Sequence, residues 1–346
     1  MKTAEIVFTN LKQAQLIEKE RELLPLNETQ VLVATEYTVI SAGTERANLL
    51  ATPNRGDIVD ALPPEKAFPI TVGYSGSGVV KAVGSKVQHV APGDRVATCW
   101  GKHSTMNIFD GVNVIKIQDD SIRMEDAALA MIAGISLGGV RKTHLEIGES
   151  VLVMGQGIIG ILATVFSRIA GGVPLLAADI RPERLALAKA LGADFALNPL
   201  EEGFTRMVHD LTNGKGVDNV IEVTGVDAAL SQSLDCIARQ GTIALLGCTR
   251  VPTEHINFYQ KVHRTGVNII GAHTMIKPQL DSYPGYWTCA DDVRVYLAML
   301  AAHRLDVSPL VQEMHKPSEA PDVFGRLADE PNFPVGVFFD WRGMSI

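Results

Sequence analysis

Cysteine is scarce in this chain. There are four in 346 residues, Cys99, Cys236, Cys248 and Cys289, and no two of them form a CxxC pair. That spacing excludes a zinc-ribbon cluster and offers no disulfide framework. Long hydrophobic runs are missing too. The longest, Ala127–Val140, has 14 residues broken by Ser136 and three glycines, short of the ~20 that a membrane-spanning helix needs. The opening residues, MKTAEIVFTNLKQAQL, lack the continuous apolar core of a signal peptide, so the expected compartment is the cytoplasm, without a membrane partner. Basic charge is not in excess: 31 Lys and Arg against 39 Asp and Glu give a net charge of −8, which argues against nucleic acid and anionic membranes as partners. What is present is ordinary globular composition, 46% hydrophobic and 20% charged, at a length that suits two domains of ~150 residues.

The most informative stretch is Glu149–Asp179. Ser150–Met154 is a short apolar, strand-like run that leads directly into Gly155-Gln156-Gly157-Ile158-Ile159-Gly160. From Ile158 the pattern is helical and apolar up to Gly171-Gly172, and a second apolar run, Val173–Ala178, stops on Asp179. Each part has a mechanical reason. Gly155 permits a tight turn, Gly157 lets backbone approach a pyrophosphate, and Gly160 lets helix pack on strand, while the helix start at Ile158 and Ile159 offers N–H groups and positive dipole to phosphate. Asp179 lies 19 residues past Gly160, close to the ~20 expected of a carboxylate that grips an adenosine ribose. A lone GxGxxG is a weak signal; one flanked by both strands with the acid in place is a strong sign of dinucleotide binding.

Residues 1 to about 120 read as β-rich, with short β-branched runs at Glu5–Phe8, Gln30–Thr35, Tyr37–Ile40, Gly76–Val83, Arg95–Thr98 and Asn113–Lys116 separated by turn-rich pieces such as 53–57, Pro63-Pro64 and Pro92-Gly93-Asp94. Many short strands with frequent turns suggest a barrel-like β domain. After a helical Met124–Val140, strands and helices alternate: helices over Pro182–Leu191, Gly203–Leu211 and Ala228–Ala238, strands over Val217–Val223, Gly241–Leu246 and Val267–Ile270. That alternation predicts a doubly wound parallel sheet whose ligand sits at the carboxyl ends of the strands, so Thr224-Gly225, Leu246-Gly247 and Ala272-His273 are expected to line the cofactor cleft. From Lys277 the pattern breaks into PQLDSYPGYW; a helix over Asp291–Ala302 and a strand over Val335–Asp340 follow, and this tail is expected to complete the N-terminal β domain.

With these motifs in order, the chain resembles the medium-chain dehydrogenase/reductase superfamily, the group of the zinc-containing alcohol and polyol dehydrogenases. The marks are Val31-Leu32-Val33, Gly73 with Gly78-Val79-Val80, Gly93-Asp94-Arg95-Val96, the VLVMGQGIIG strand and turn, Asp179 with Arg184-Leu185, Leu191-Gly192-Ala193-Asp194, and Glu222-Val223-Thr224-Gly225. The resemblance covers essentially the whole chain. It implies an α/β protein with a GroES-like β-barrel catalytic domain (1–125 and 275–346) and a Rossmann domain (126–274), NAD(P) between them, a small-molecule substrate, and a homodimer or homotetramer. Asp179 favours a free ribose 2′-hydroxyl and hence NAD; Arg181 and Arg184 leave NADP as an alternative, although a basic residue at the Arg184 position accompanies the acid in NAD users of the family.

At the metal positions this sequence departs from the family's pattern. Ser41 or Ala42, depending on register, stands where a ligand cysteine is expected; Tyr74 and Ser75 replace the histidine and glutamate after Gly73; Met131 stands at the third ligand's place. A catalytic zinc needs about three N, S or O ligands, and Glu45 or His103 alone would not hold one. The four-cysteine lobe for structural zinc is absent as well, since only Cys99 lies between Val96 and Val114. The expectation is a zinc-independent enzyme with no metal ligands. Candidates for the catalytic hydrogen-bond donor are Tyr74, Ser41 and Thr44, the last in the place where a proton relay begins in zinc members. Tyr74 is either the acid or a packing residue that fills the vacated cavity. Glu45-Arg46 reads equally as a cleft pair or a solvated ion pair. His103, His144, His209, His263 and His315 read as surface or capped histidines, and His273 as a candidate contact for nicotinamide or substrate. Residues 281–288 suit either stacking on a polyol or packing on the barrel. The resulting function is alcohol–carbonyl interconversion by hydride transfer on a polyol or sugar-like substrate; a metal-free quinone or enoyl reductase and a dinucleotide-binding protein without turnover are the alternatives.

Overall fold

The computed structural model describes residues 2–20, 25–52, 63–248, 250 and 255–344. Of the predicted turns, that at 53–57 lies outside the described residues. The chain divides into two compact units, one of residues 1–134 with 293–346 and one of 135–292.

The first unit is built on a mixed sheet in the order Glu313–His315, Val337–Asp340, Gln30–Val39, Ser75–Val83, Arg95–Cys99 and Val114–Lys116, with Met106–Asp110 also paired to Gln30–Val39. A smaller antiparallel sheet joins Gln13–Glu20, Lys2–Asn10 and Ile70–Thr71. Tyr37–Ile40 and Gln30–Thr35, separate runs in the sequence, are one strand, because the polar Glu36 falls at a register shift and interrupts the apolar pattern without ending the ladder. Helix Ala320–Asp329, which the sequence reading missed, places Ala320, Val323, Phe324, Leu327 and Ala328 on one buried face, the spacing of an amphipathic helix. Phe324 meets Phe8 edge-on at 4.8 Å between ring centres, and together with Phe339 and Trp341 they fill the core of this unit. Arg326, on the helix's other side, binds both carboxylate oxygens of Glu313 at 2.9 and 3.0 Å.

The second unit carries a six-stranded, wholly parallel sheet in the order Phe195–Leu197, Leu175–Ala178, Val151–Met154, Val217–Glu222, Ile237–Leu245, Asn268–Gly271. The order reverses direction between Val151–Met154 and Val217–Glu222, which makes this the Rossmann arrangement with its switch point beside the glycine turn. The neighbouring strands Leu175–Ala178 and Val151–Met154 are fully buried, as strands covered on both faces must be. One strand starts earlier than expected. Helix Asp227–Cys236 stops two residues short of Ala238, and Ile237–Leu245 runs on directly as strand, with Gln240 at φ 63° where the ladder shifts register. The GroES-like and Rossmann folds are therefore both present.

The unit boundaries, 134/135 and 292/293, differ from the expected 125/126 and 274/275. The reason is that residues 275–292 are held to helix Ala130–Lys142: Arg141 and Lys277 both contact the Asp292 carboxylate, and the Arg141 guanidinium lies 3.8 Å from the centre of the Trp287 ring. No helix among the described residues is long and apolar enough to cross a membrane.

Two glycines test the packing of the first unit. A Cβ on Gly336 would stand 1.5 Å from the backbone oxygen of Leu310, whereas one on Gly325, within helix Ala320–Asp329, meets nothing within 4 Å. Gly336→Ala is expected to destabilise by more than ~2 kcal/mol, since backbone must move, and Gly325→Ala to be neutral or to stabilise by up to ~1 kcal/mol. Urea unfolding of the two variants beside the parent checks both; equal midpoints would contradict the packing described at Gly336.

Candidate functional site

The glycine turn of the second unit does three separate jobs. Gly155 has φ 94°, and a Cβ there would press on Thr224 Cγ2 at 2.8 Å. A Cβ on Gly160 would lie 1.8 Å from the Gly155 oxygen, so only glycine lets the helix start against the turn. Gly157 differs: it caps helix Ile158–Ile169 without a side-chain bond, and a Cβ there meets no protein atom within 4 Å. The first N–H groups of that 12-residue helix, at Ile158, Ile159 and Gly160, have no acceptor within the helix, and its start carries no side-chain cap.

Asp179 locks this turn. One carboxylate oxygen accepts the Gln156 N–H at 2.7 Å, the other accepts the Arg181 N–H at 2.9 Å, and Arg184 Nη1 stands 3.8 Å away. Gln156, an arbitrary position in the motif, is completely buried; its side chain donates to the Val153 oxygen at 3.0 Å and accepts from Thr164 Oγ1 at 3.0 Å. The strand ends expected to line the cofactor are tied in a row by backbone bonds: Asp179 to Leu197, Gly155 to Ala178, Val223 to Met154, Leu246 and Gly247 to Glu222, and Ala272 to Leu245. Thr224-Gly225, Leu246-Gly247 and Ala272-His273 therefore share one edge of the sheet with Gly155 and Asp179. His273 is exposed at the end of that row, its Nδ1 accepting the Met275 N–H at 3.2 Å.

Sequence reasoning named Glu222 only within a family mark and gave it no role in the site. It is fully buried, and its carboxylate accepts from the Thr224 and Gly225 N–H groups at 2.8 and 3.2 Å and from the Thr224 hydroxyl. Burial pushes its carboxyl above the ordinary range, against the pull of those donors. The signal was available, in an acid that closes an apolar strand and is followed two residues on by Thr-Gly.

In the first unit, Ser41 and Tyr74 come together: the phenol donates to Ser41 Oγ at 2.5 Å. Thr44 lies in the first turn of helix Ala42–Leu49, half-buried. Behind Ser41 runs a buried polar chain. The Ser41 N–H donates to Glu45 Oε1 at 2.9 Å, His103 Nε2 meets Glu45 Oε2 at 3.0 Å, His103 Nδ1 meets Thr38 Oγ1 at 2.7 Å, and the Trp341 indole donates to the same Thr38 oxygen at 2.9 Å. A carboxylate can only accept, so Nε2 bears a hydrogen toward Glu45, while Thr38 Oγ1 accepts from Trp341 and shares a further hydrogen bond with Nδ1. Two readings are corrected here. Glu45 does not form a solvated pair with Arg46, for it is 1% exposed, while Arg46 turns outward to the Ala328 oxygen. His103 is not a surface histidine but 0% exposed, with rings of Phe324 and Phe339 beside it. Met131 is buried in the core. Among the described residues no group of three or more His, Cys, Asp or Glu is placed to hold a metal ion.

Two family models match the chain: an alcohol dehydrogenase GroES-like domain over residues 27–112 and a zinc-binding dehydrogenase domain over 159–287. A sorbitol dehydrogenase of Bacillus subtilis is 30% identical over 208 residues, 52% of this chain and 59% of that protein, so the match spans about three fifths of the relative's length. A D-guloside 3-dehydrogenase of Escherichia coli is 27% identical over 267 residues, 76% of this chain and 75% of the relative. Among solved structures, an Escherichia coli oxidoreductase of unknown specificity, described as involved in membrane biogenesis, shares the fold with TM-score 0.83 at 19% identity, covering 98% of this chain and 99% of the other. Galactitol-1-phosphate dehydrogenase of Escherichia coli gives 0.80 at 18% identity, covering 97% and 99%.

Because Gly157 has open space before it, Gly157→Val should fold normally yet fill the seat of a pyrophosphate. NADH affinity is expected to fall at least ~100-fold, the loss of roughly two charge-assisted bonds at 1.5–3 kcal/mol each, with an unchanged melting temperature. A fluorescence titration beside thermal unfolding checks this. Parent-like affinity would remove the phosphate seat from this turn.

Proposed function

Since the chain belongs to the zinc-type, alcohol dehydrogenase-like group of the medium-chain dehydrogenase/reductase superfamily, we propose that it interconverts an alcohol and its carbonyl by hydride transfer with NAD, on a polyol or sugar-like substrate, without a catalytic zinc. The observation that carries the reading is the hydroxyl pair Tyr74–Ser41, backed by the Glu45–His103 pair, at positions where zinc members of the family carry ligands.

The residues of the second unit fit a dinucleotide. The open helix start at Gly157 suits a pyrophosphate, and the Asp179 carboxylate, already fixed by two backbone N–H groups, keeps lone pairs for a ribose hydroxyl. A negative charge there disfavours a 2′-phosphate, which supports NAD over NADP. The residues of the first unit do not fit zinc. Ser41 and Tyr74 offer neutral hydroxyls already bonded to each other, Met131 offers a thioether in the core, and Glu45 and His103 satisfy one another; zinc sites take thiolate, imidazole or carboxylate.

When bound, the nicotinamide supplies or accepts the hydride. Carbonyl reduction builds negative charge on the substrate oxygen, and that charge needs a donor. The Ser41 hydroxyl donates its hydrogen to this oxygen and takes the phenolic proton of Tyr74 in return; alcohol oxidation runs the same shift backwards. The Glu45 carboxylate holds the Ser41 backbone N–H and so fixes where Ser41 Oγ stands.

Tyr74→Phe keeps the ring and removes the proton source, and kcat for carbonyl reduction is expected to fall by about 10²-fold with NADH affinity unchanged. Steady-state kinetics on a polyol and keto-sugar panel, with elemental analysis and an NADH against NADPH titration, make the test. An unchanged kcat would return Tyr74 to a packing role. One tightly held zinc per chain would defeat the metal-free mechanism, and dinucleotide binding without turnover on any carbonyl, polyol or enone would make this a binding protein.

A further inference from the structure

The segment that follows the last Rossmann strand is more ordered than a connecting loop needs to be. Tyr283 and Tyr286 exchange backbone bonds of 2.9 and 2.8 Å across Pro284-Gly285, with Gly285 at φ 82°, and their rings stack at 4.8 Å. Proline then left-handed glycine is the pairing a type II turn requires. On its other side the hairpin is anchored to helix Cys289–Ala301: Thr288 Oγ1 accepts the Asp291 N–H at 3.0 Å and donates to the Asp291 carboxylate at 2.9 Å, and Ser282 Oγ accepts the Thr288 N–H at 2.8 Å. Tyr286 and Trp287 are thereby fixed in place.

Each of these two rings covers a cation from helix Ala130–Lys142. The Arg141 guanidinium lies 3.8 Å from the Trp287 ring centre and Lys142 Nζ lies 4.0 Å from that of Tyr286. A third cation, Lys277, enters from the strand end and meets Asp292 Oδ2 at 2.5 Å, while Arg141 meets Oδ1 at 2.7 Å. Together with His273 at the carboxyl edge of the sheet, these groups line one pocket. Its permanent charges are three positive against the buried carboxylate of Asp292; the Asp291 carboxylate alongside, bonded by the Ser282 and Thr288 hydroxyls, adds a second negative charge whose field reaches Arg141. Two carboxylates need two cations, and three cations meet here, which leaves one positive charge in surplus. Lys142 has no carboxylate within ion-pair distance among the described residues, only a ring face that leaves its three N–H donors in use for nothing else. Such a surplus, walled by aromatic rings and opening at the substrate end of a Rossmann sheet, has the chemistry of an anion seat.

We infer that Arg141, Lys142 and Lys277, with Tyr286 and Trp287 as walls, bind the phosphate or carboxylate of an anionic sugar-like ligand. The identity of that ligand as a substrate rests on the dehydrogenase reading above; the anion seat itself does not, and it is tested without turnover. Inorganic phosphate, glycerol phosphate, glucuronate and neutral sorbitol are titrated calorimetrically into the full chain, the Lys142→Gln and Lys142→Glu variants, and Tyr286→Ser. Saturable binding of phosphate is expected in the parent, weakened about tenfold in Lys142→Gln by the loss of one charge-assisted bond and abolished in Lys142→Glu, with sorbitol alone giving no signal at this seat. Tyr286→Ser, which approaches the pocket from the hairpin, should weaken the same anions while circular dichroism stays that of the parent. Tighter binding of glycerol phosphate than of glucuronate assigns the group as phosphate, and the reverse order as carboxylate. Absence of saturable binding for every anion, or equal affinity in the parent and both Lys142 variants, overturns the inference, whatever the enzyme does on its substrate panel.

Discussion

A carboxylate taken out of water must be supplied with donors or it does not stay charged, and this constraint organises every functional corner of the molecule. Glu45, Glu222, Asp179 and Asp292 are between 0% and 7% exposed. Isolated burial of an ionised carboxyl costs several kcal/mol even after relaxation. Here each carboxyl makes bonds that counter this cost, although at Glu222 and Asp292 burial still holds the carboxyl above its ordinary range. Asp179 takes the N–H groups of Gln156 and Arg181, Glu222 those of Thr224 and Gly225, Glu45 that of Ser41 with His103 Nε2, and Asp292 the cations of Lys277 and Arg141. In the first three cases the bonded N–H belongs to the loop expected to touch cofactor or substrate.

The consequence is that positions with flexible backbone are not free to move. The glycine turn combines a left-handed Gly155 with an uncapped helix start, both of which would fray if left alone. Asp179, on the neighbouring strand, pins the turn at Gln156, whose own side chain is pinned at Val153 and Thr164. The same logic holds at Thr224-Gly225, where φ 65° at Gly225 and its close approach to Cys248 leave no room for a side chain, and where Glu222 supplies the acceptors. Preorganisation of this kind lowers the ordering cost that a ligand would otherwise meet on binding.

How much of this could be read from the sequence depended on how local the cause was. The Rossmann half was legible because its signals are consecutive: an apolar strand, three glycines at fixed spacing and an acid on the next strand end. The β-rich half was legible as a class, yet its wrapping was not. Helix Ala320–Asp329 carries a clear five-residue apolar face, but a proline and a glycine inside it disguise the period. The open reading of Glu45 and the surface reading of His103 have one source. They are 58 residues apart and bond to each other only because the sheet brings them together; each alone looks like an ordinary polar residue at a loop. Residues 275–292, expected with the β domain, group with the second unit for a similar reason, since Asp292, Arg141 and Trp287 meet through tertiary packing that no periodicity announces.

In the first unit a run of hydrogen bonds fixes the place of Ser41. Starting at Trp341, whose indole can only donate, the chain passes to Thr38, to His103 and to Glu45, and each member is hydrogen-bonded to the next. The carboxylate of Glu45 ends the series from one side and receives the Ser41 N–H from the other. Ser41 Oγ then accepts from Tyr74, which leaves its own hydrogen for a further acceptor. A metal would stabilise charge on a substrate oxygen by its own field. A hydroxyl pair has only position and donor count, and both are set here by a buried network that reaches from one end of the chain's first unit to the last residues of the fold. On the proposed reading, Trp341 and Thr38 are therefore as much a part of the oxygen-binding corner as Tyr74, although neither touches it.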